Sequence, residues 1–298
     1  MKNNDFALGL DLIEEINILR RNFLKCLNDL NTPKIPSTII DATFQTDNWV
    51  INFPLNFYNA VDSEELNLVR KLGLINSLYC FYLLREDDVF DEYHLPKEVF
   101  RKFIVATCNS HPLRNLAIGQ LLHLCGTEIY PYLFRYEKKY YEALSFEKSG
   151  EYSLENTFDE SALNILGDKL IPLCLTFAAF CQLKNCVDKI PLCEELIISY
   201  HVAKQLYDDL SDLKSDILKP DLSYLIKVCY GGKPEKNNSL NSVLEIMYNG
   251  DIDYKAIEII DSYTIQAEIM ARELNFIFFL REIENLRMNA YNYKRMDI

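Results

Sequence analysis

Apolar residues recur at helical spacing through Phe6, Leu12, Ile13, Ile16, Leu19, Phe23, Leu27 and Leu30, and the pattern stops before Pro33. The spacing predicts an amphipathic first helix. A second begins near Asp62, whose side chain can cap while Glu65 sits three residues on, and it runs to about Glu92, where HLP stops it. Further helical stretches are expected near 97–107, 113–130, 132–147, 161–184 and 191–218, and a long final pattern spans about 253–291. No strand series or internal repeat competes with this reading. The breaker-rich GGKPEKNNSLN at 231–241 reads as a surface loop, an ordinary connection before it is a lid.

Composition agrees with the periodicity. Among 298 residues there are only 9 glycines and 10 prolines, and 49% are apolar, which suits long helices around a sizeable core. An all-α helical bundle is expected, with residues 1–298 as a single domain because no linker or low-complexity tract divides them. The start MKNNDFALGLDLIEE is acidic where an export signal would be basic, and LIPLCLTFAAFCQL at 170–183 is short for a bilayer span and fits a buried helix. No stable membrane insertion is expected. Nine cysteines without a CxxC pair or a histidine at ligand spacing argue against zinc and a disulfide scaffold, and favour the cytoplasm. A net charge of −13 opposes nucleic-acid binding, so an anionic substrate needs a metal intermediary.

Two acidic stretches supply one. LLREDDVFDE at 83–92 places five carboxylates within seven residues after an apolar run, at the C-terminal end of the predicted helix. The helix dipole is already negative there, so the cluster weakens its own helix unless a cation binds. HVAKQLYDDLSDLKSD at 201–216 repeats the theme: Asp208, Asp212 and Asp216 are spaced four apart, on one helix face, with Asp209 beside them. Either cluster alone is explained by a solvated acidic face. Two of them, each in a long helix with an apolar lead-in, point to function. Mg²⁺ suits such ligands, because it takes hard oxygens and is held by one or two carboxylates plus substrate phosphates. Calcium is weaker, since no EF-hand loop is present. Of the four histidines only His201 approaches a motif, as a packing or supporting residue.

DDVFD at 87–91 resembles the aspartate-rich motif of class I isoprenoid synthases, and DDLSDLKSD at 208–216 resembles their second metal motif. The order of the two, 121 residues apart from Asp87 to Asp208, is also similar to that fold. The resemblance covers most of the chain and rests on these two motifs. It implies antiparallel helices around an apolar pocket with Mg²⁺ at the mouth, three ions per site. Asp87 and Asp91 would bind two ions and Asp208, Asp212 and Asp216 the third, with Asp88, Asp209 and Glu92 in support. Asp87 and Asp208 are then the catalytic acids. Antiparallel homodimers are common in that family, so a homodimer is implied.

The same resemblance implies that a prenyl diphosphate is ionised. Lys169 in GDKLIP, 39 residues before Asp208, is similar to the family's diphosphate-binding lysine; Lys204, Arg85, Gln205 and Tyr207 flank the motifs, and Tyr291, Lys294 and Arg295 lie in NAYNYKR. Lys204 reads equally well as a helix-face ion-pair partner, worth about 0.3–0.5 kcal/mol. An allylic cation must be kept from water, and aromatic faces stabilise one by roughly 2 kcal/mol each when desolvated. Phe81, Tyr82, Phe177 and Phe180 are candidates, although most of the 17 phenylalanines and 19 tyrosines are core. A chain-elongating enzyme carries a GKxxRP stretch and paired arginines for isopentenyl diphosphate, and neither is present. That favours a terpene cyclase acting on one substrate, farnesyl or geranylgeranyl diphosphate, to give a cyclic or rearranged terpene. Lys169 and Gln205 favour the alternative, a trans-prenyl diphosphate synthase; a non-catalytic prenyl diphosphate-binding protein is the third reading.

Overall fold

The structure is a computed structural model that describes residues 11–30, 35, 37–45, 48–60, 65–149, 158–218, 223–230 and 239–295. Among these residues all regular structure is helical. They group into two compact units, one formed by the chain up to Ile129 together with Thr176–Val187, the other by Tyr130–Leu175 and Asp188 onward.

The first unit holds α1 (Leu12–Asp29), α2 (Ser37–Thr43), α3 (Trp49–Asn52), α4 (Phe57–Ala60), α5 (Leu66–Asp91) and α6 (Lys97–Cys125). Helix α1 starts where Asp11 accepts from the amides of Ile13 and Glu14, and it buries Ile16, Leu19, Phe23 and Leu27. Phe6 and the predicted cap Asp62 lie outside the described residues. Glu15 goes inside with that stripe and is held in a two-pronged bond by Arg70 of α5, at 2.7 and 2.6 Å. Gly73 lets the two helices close, because a β-carbon there would stand 2.8 Å from Leu19.

Helix α6 runs through Pro112 instead of breaking between 107 and 113. Proline removes the donor that would cap the carbonyl of Cys108. Cys108 and Pro112 are both exposed, so that carbonyl is on the water side, and the helix continues at modest cost.

The second unit contains α7 (Tyr130–Ser149) and α8 (Glu160–Gly167), and α9 (Cys174–Lys184) leads from it into the first. The predicted helix over 161–184 is interrupted by a 3₁₀ segment, Asp168–Leu173, that includes Pro172. The span Glu160–Lys184 is long and apolar enough to cross a membrane, but 72% of its most apolar window is buried inside the protein. The remaining helices are α10 (Ile190–Ser211), α11 (Leu213–Asp216), α12 (Tyr224–Cys229), α13 (Leu240–Asn249), α14 (Ile252–Glu273) and α15 (Ile277–Tyr291).

Two asparagines in the left-handed region end helices, Asn185 where the expected stretch stops at 184 and Asn275 inside a pattern expected to run on. Asn275 has φ of 57°, and the amide of Phe276 bonds the carbonyl of Ala271 at 2.8 Å, which divides the pattern expected over 253–291 into α14 and α15. Asn185, also at φ 57°, closes α9 through Cys186 and Cys181 in the same manner. Of the predicted loop at 231–241, residues 231–238 lie outside the described residues, and α13 begins at Leu240 with Ser239 as its cap.

Candidate active site

In the first unit the acids occupy the last turns of α5, after the buried pair Phe81 and Tyr82. Arg85 reaches forward one turn to Asp88 at 2.9 Å, and its guanidinium lies 5.5 Å from the centre of the Phe81 ring. Tyr82 donates to Glu86 at 2.7 Å. Thr107 of α6 donates to the carbonyl of Arg85 at 2.6 Å, which fixes the end of α5 against its neighbour. Burial pushes the Asp88 carboxyl up to about 6; Arg85 opposes this, and Asp87, Asp91 and Glu92 add to it. The acids therefore raise one another's cost of ionisation, as a motif that awaits a cation should. Asp87 is half-buried and Asp91 exposed.

The second cluster is placed by α10 and by the close approach of α8. Gly167 makes that approach work: a β-carbon there would meet Ile198 at 2.7 Å and the Ile198 carbonyl at 3.0 Å. The chain then turns through Asp168 to Lys169, whose ammonium bonds Glu147 at 2.9 Å. Lys204 donates to both oxygens of Asp208. Helix α10 stops at Ser211, so the three aspartates do not share one continuous helix as expected. Asp212 caps, still donating its amide to the carbonyl of Asp208 at 2.8 Å, and Asp216 ends the short α11. Repulsion between like charges spaced four apart disfavours a continuous helix there by a few tenths of a kcal/mol. Asp208 is partly exposed, Asp212 exposed and Asp216 buried.

Asp209 points the other way. It is 2% exposed and accepts from Gln205 and from the amide of Leu225, each at 2.9 Å. Burial raises its carboxyl to about 7 against those two bonds. The folded protein therefore holds a proton that the unfolded chain releases near pH 4. Stability from this group is complete below that pH and is lost as pH rises through 7. In metal-free buffer the melting temperature of the wild type is expected to fall from pH 5 to pH 8 more steeply than that of Asp209→Asn; parallel profiles would show that Asp209 does not titrate in this range.

Sequence reasoning missed Glu147 and Lys227 in this neighbourhood, whereas it had named His201 as a packing or supporting residue. Lys227 is buried in α12 and donates to the carbonyl of Glu147 at 2.9 Å, so Glu147 receives both Lys169 and Lys227. The signal was a lysine inside the apolar run YLIKVC. His201 is 8% exposed, and neither ring nitrogen has a hydrogen-bond partner among the described residues. Burial, then Lys169 and Lys204, lower its pKa to about 3, so the ring is neutral.

Other candidates stand elsewhere. Phe177 and Phe180 are fully buried against Phe57, with ring centres at 5.2 and 5.4 Å. Arg295 is bound to Asp253 at 2.7 and 2.9 Å and to Asp251 at 3.0 Å, between the rings of Tyr248 and Tyr254. Lys294 is exposed, and Tyr207 is half-buried beside Asp208. Among the described residues no three histidine, cysteine, aspartate or glutamate side chains stand together as a ready-made metal cage. The donor set nevertheless fits Mg²⁺, which needs few protein carboxylates, and the ammonium on Asp208 shows that this carboxylate already receives a cation.

Solved structures supply the comparison. The fold matches an octaprenyl pyrophosphate synthase from Helicobacter pylori with a TM-score of 0.69 at 14% identity, over 92% of this chain and 98% of that one. It matches a heptaprenyl diphosphate synthase from Staphylococcus aureus with a TM-score of 0.70 at 12% identity, over 96% and 99%. A medium/long-chain prenyl pyrophosphate synthase from Arabidopsis gives 0.67 at 15% identity, over 94% and 100%. The chain has the all-α class I isoprenoid synthase fold. No family model and no curated protein matches it. The cyclase expectation is corrected by these neighbours: all three isoprenoid synthase folds are named for making prenyl chains, and none for cyclisation. That expectation rested on two short missing motifs, which weighed too heavily against Lys169 and Gln205.

Proposed function

We propose that this protein is a Mg²⁺-dependent trans-prenyl diphosphate synthase, which ionises an allylic diphosphate and joins its prenyl group to isopentenyl diphosphate. The observation that carries the reading is the likeness to three solved prenyl diphosphate synthases over more than nine-tenths of this chain and of theirs. The two acid clusters support it, each at the end of a long helix.

In this reading Asp87 and Asp91 hold divalent ions at the end of α5, and Asp208, Asp212 and Asp216 hold one at the end of α10. Bound Mg²⁺ supplies Lewis-acid neutralisation of charge on the departing diphosphate. Lys169 binds diphosphate oxygens and gives up Glu147 to do so. Arg85 orders Asp88, and Gln205 and the Leu225 amide fix Asp209, which positions its neighbour Asp208. No cysteine is in a disulfide, in keeping with a cytoplasmic location, and a homodimer is part of the proposal.

The test is an incubation with Mg²⁺ and geranyl, farnesyl or geranylgeranyl diphosphate, each with and without isopentenyl diphosphate. A longer diphosphate formed only in the mixture is the expected result. Consumption of one substrate without elongation, or binding without turnover, would overturn it.

A further inference from the structure

Lys204 lies one turn before Asp208 on α10, and its ammonium donates to both oxygens of that carboxylate, the longer contact at 2.6 Å. Under the proposed function the same oxygens take a divalent ion. An ammonium and a metal ion compete for them, since each needs the same lone pairs and the two cations repel at that range. We infer that Lys204 is a built-in counter-ion that holds Asp208 in the absence of metal and must leave it before a divalent ion binds.

A second observation says where the lysine can go. His201, one turn further back on the same helix, is buried with both ring nitrogens lacking a partner among the described residues. Its ring feels the charges of Lys204 and Lys169 and is neutral, so one nitrogen is an acceptor suited to an ammonium. A diphosphate near Lys169 is a stronger attraction still. The order of events follows: the anion draws Lys204 from Asp208, and the metal enters afterwards. Metal binding at the second cluster is thereby tied to the presence of a diphosphate, which guards the site against holding ions unproductively.

This inference rests on the placing of a metal at Asp208, and the experiment separates the two. Mn²⁺ binding is titrated by electron paramagnetic resonance of the unbound ion, with and without inorganic pyrophosphate, in the wild type, Lys204→Gln, Lys204→Arg and Asp208→Asn. A solvated helix pair would give a factor of about two; this pair is half-buried and relief of cation repulsion adds to it, so Lys204→Gln should bind Mn²⁺ about fivefold more tightly without pyrophosphate. Pyrophosphate should then strengthen Mn²⁺ binding less in Lys204→Gln than in the wild type. Lys204→Arg keeps the charge and should behave as the wild type, which a merely structural role for the side chain does not require. Equal Mn²⁺ affinity in Lys204→Gln and the wild type overturns the counter-ion role while the proposed function stands. Unchanged Mn²⁺ binding by Asp208→Asn removes Asp208 from the metal site and overturns both.

Discussion

Asp208→Asn is expected to lower metal-dependent consumption of an allylic diphosphate at least about a hundredfold, because under the proposed function the carboxylate holds a divalent ion, and losing that ion's neutralisation of the departing diphosphate costs that much. Asparagine keeps the shape and removes the charge. Lys204 loses one half-buried helix-face partner and can still reach water, so the fold survives and the circular-dichroism spectrum stays helical. Asp87→Asn should behave alike at the other cluster. If both clusters serve one reaction, the double variant loses little more than the worse single one, since groups that act as a unit are not additive. Near-normal turnover in either single variant would take that residue out of the chemistry.

Phe177→Ala is expected to cost about 3–5 kcal/mol of folding stability, the usual penalty for emptying a buried phenylalanine site. The ring has no exposure and packs against Phe57 and Phe180 in the first unit. Urea denaturation measures the loss, with an unchanged slope showing that only stability has altered. A variant of normal stability that makes a product of different chain length would instead identify Phe177 as a wall of the substrate pocket.

Apolar periodicity revealed the long helices because their buried stripes repeat at every turn. The stripe of α1 from Ile16 to Leu27 and the apolar lead-in to the first acid cluster were both legible. The acids themselves were legible for a different reason, since a run of like charge at a helix end is costly unless something cationic is near. What periodicity misses is backbone chemistry. The left-handed turn at Asn275 ends a helix without disturbing the apolar pattern, and Pro112 was given too much weight because its orphaned carbonyl faces water. Glu147 and Lys227 are 80 positions apart, and only folding brings them together. The choice between cyclisation and elongation rested on absent local motifs, whereas likeness of the whole backbone decided against the former.

Helix α6 carries one more consequence, for the experimenter. Cys108 is the one exposed thiol of the nine, while burial raises the pKa of Cys26, Cys80, Cys125 and Cys229, the last to about 12. A maleimide dye at neutral pH should attach there first, shown by peptide mass mapping, because reaction needs both access and thiolate. That gives a single optical reporter on the native sequence, with no need to remove the other eight sulfurs.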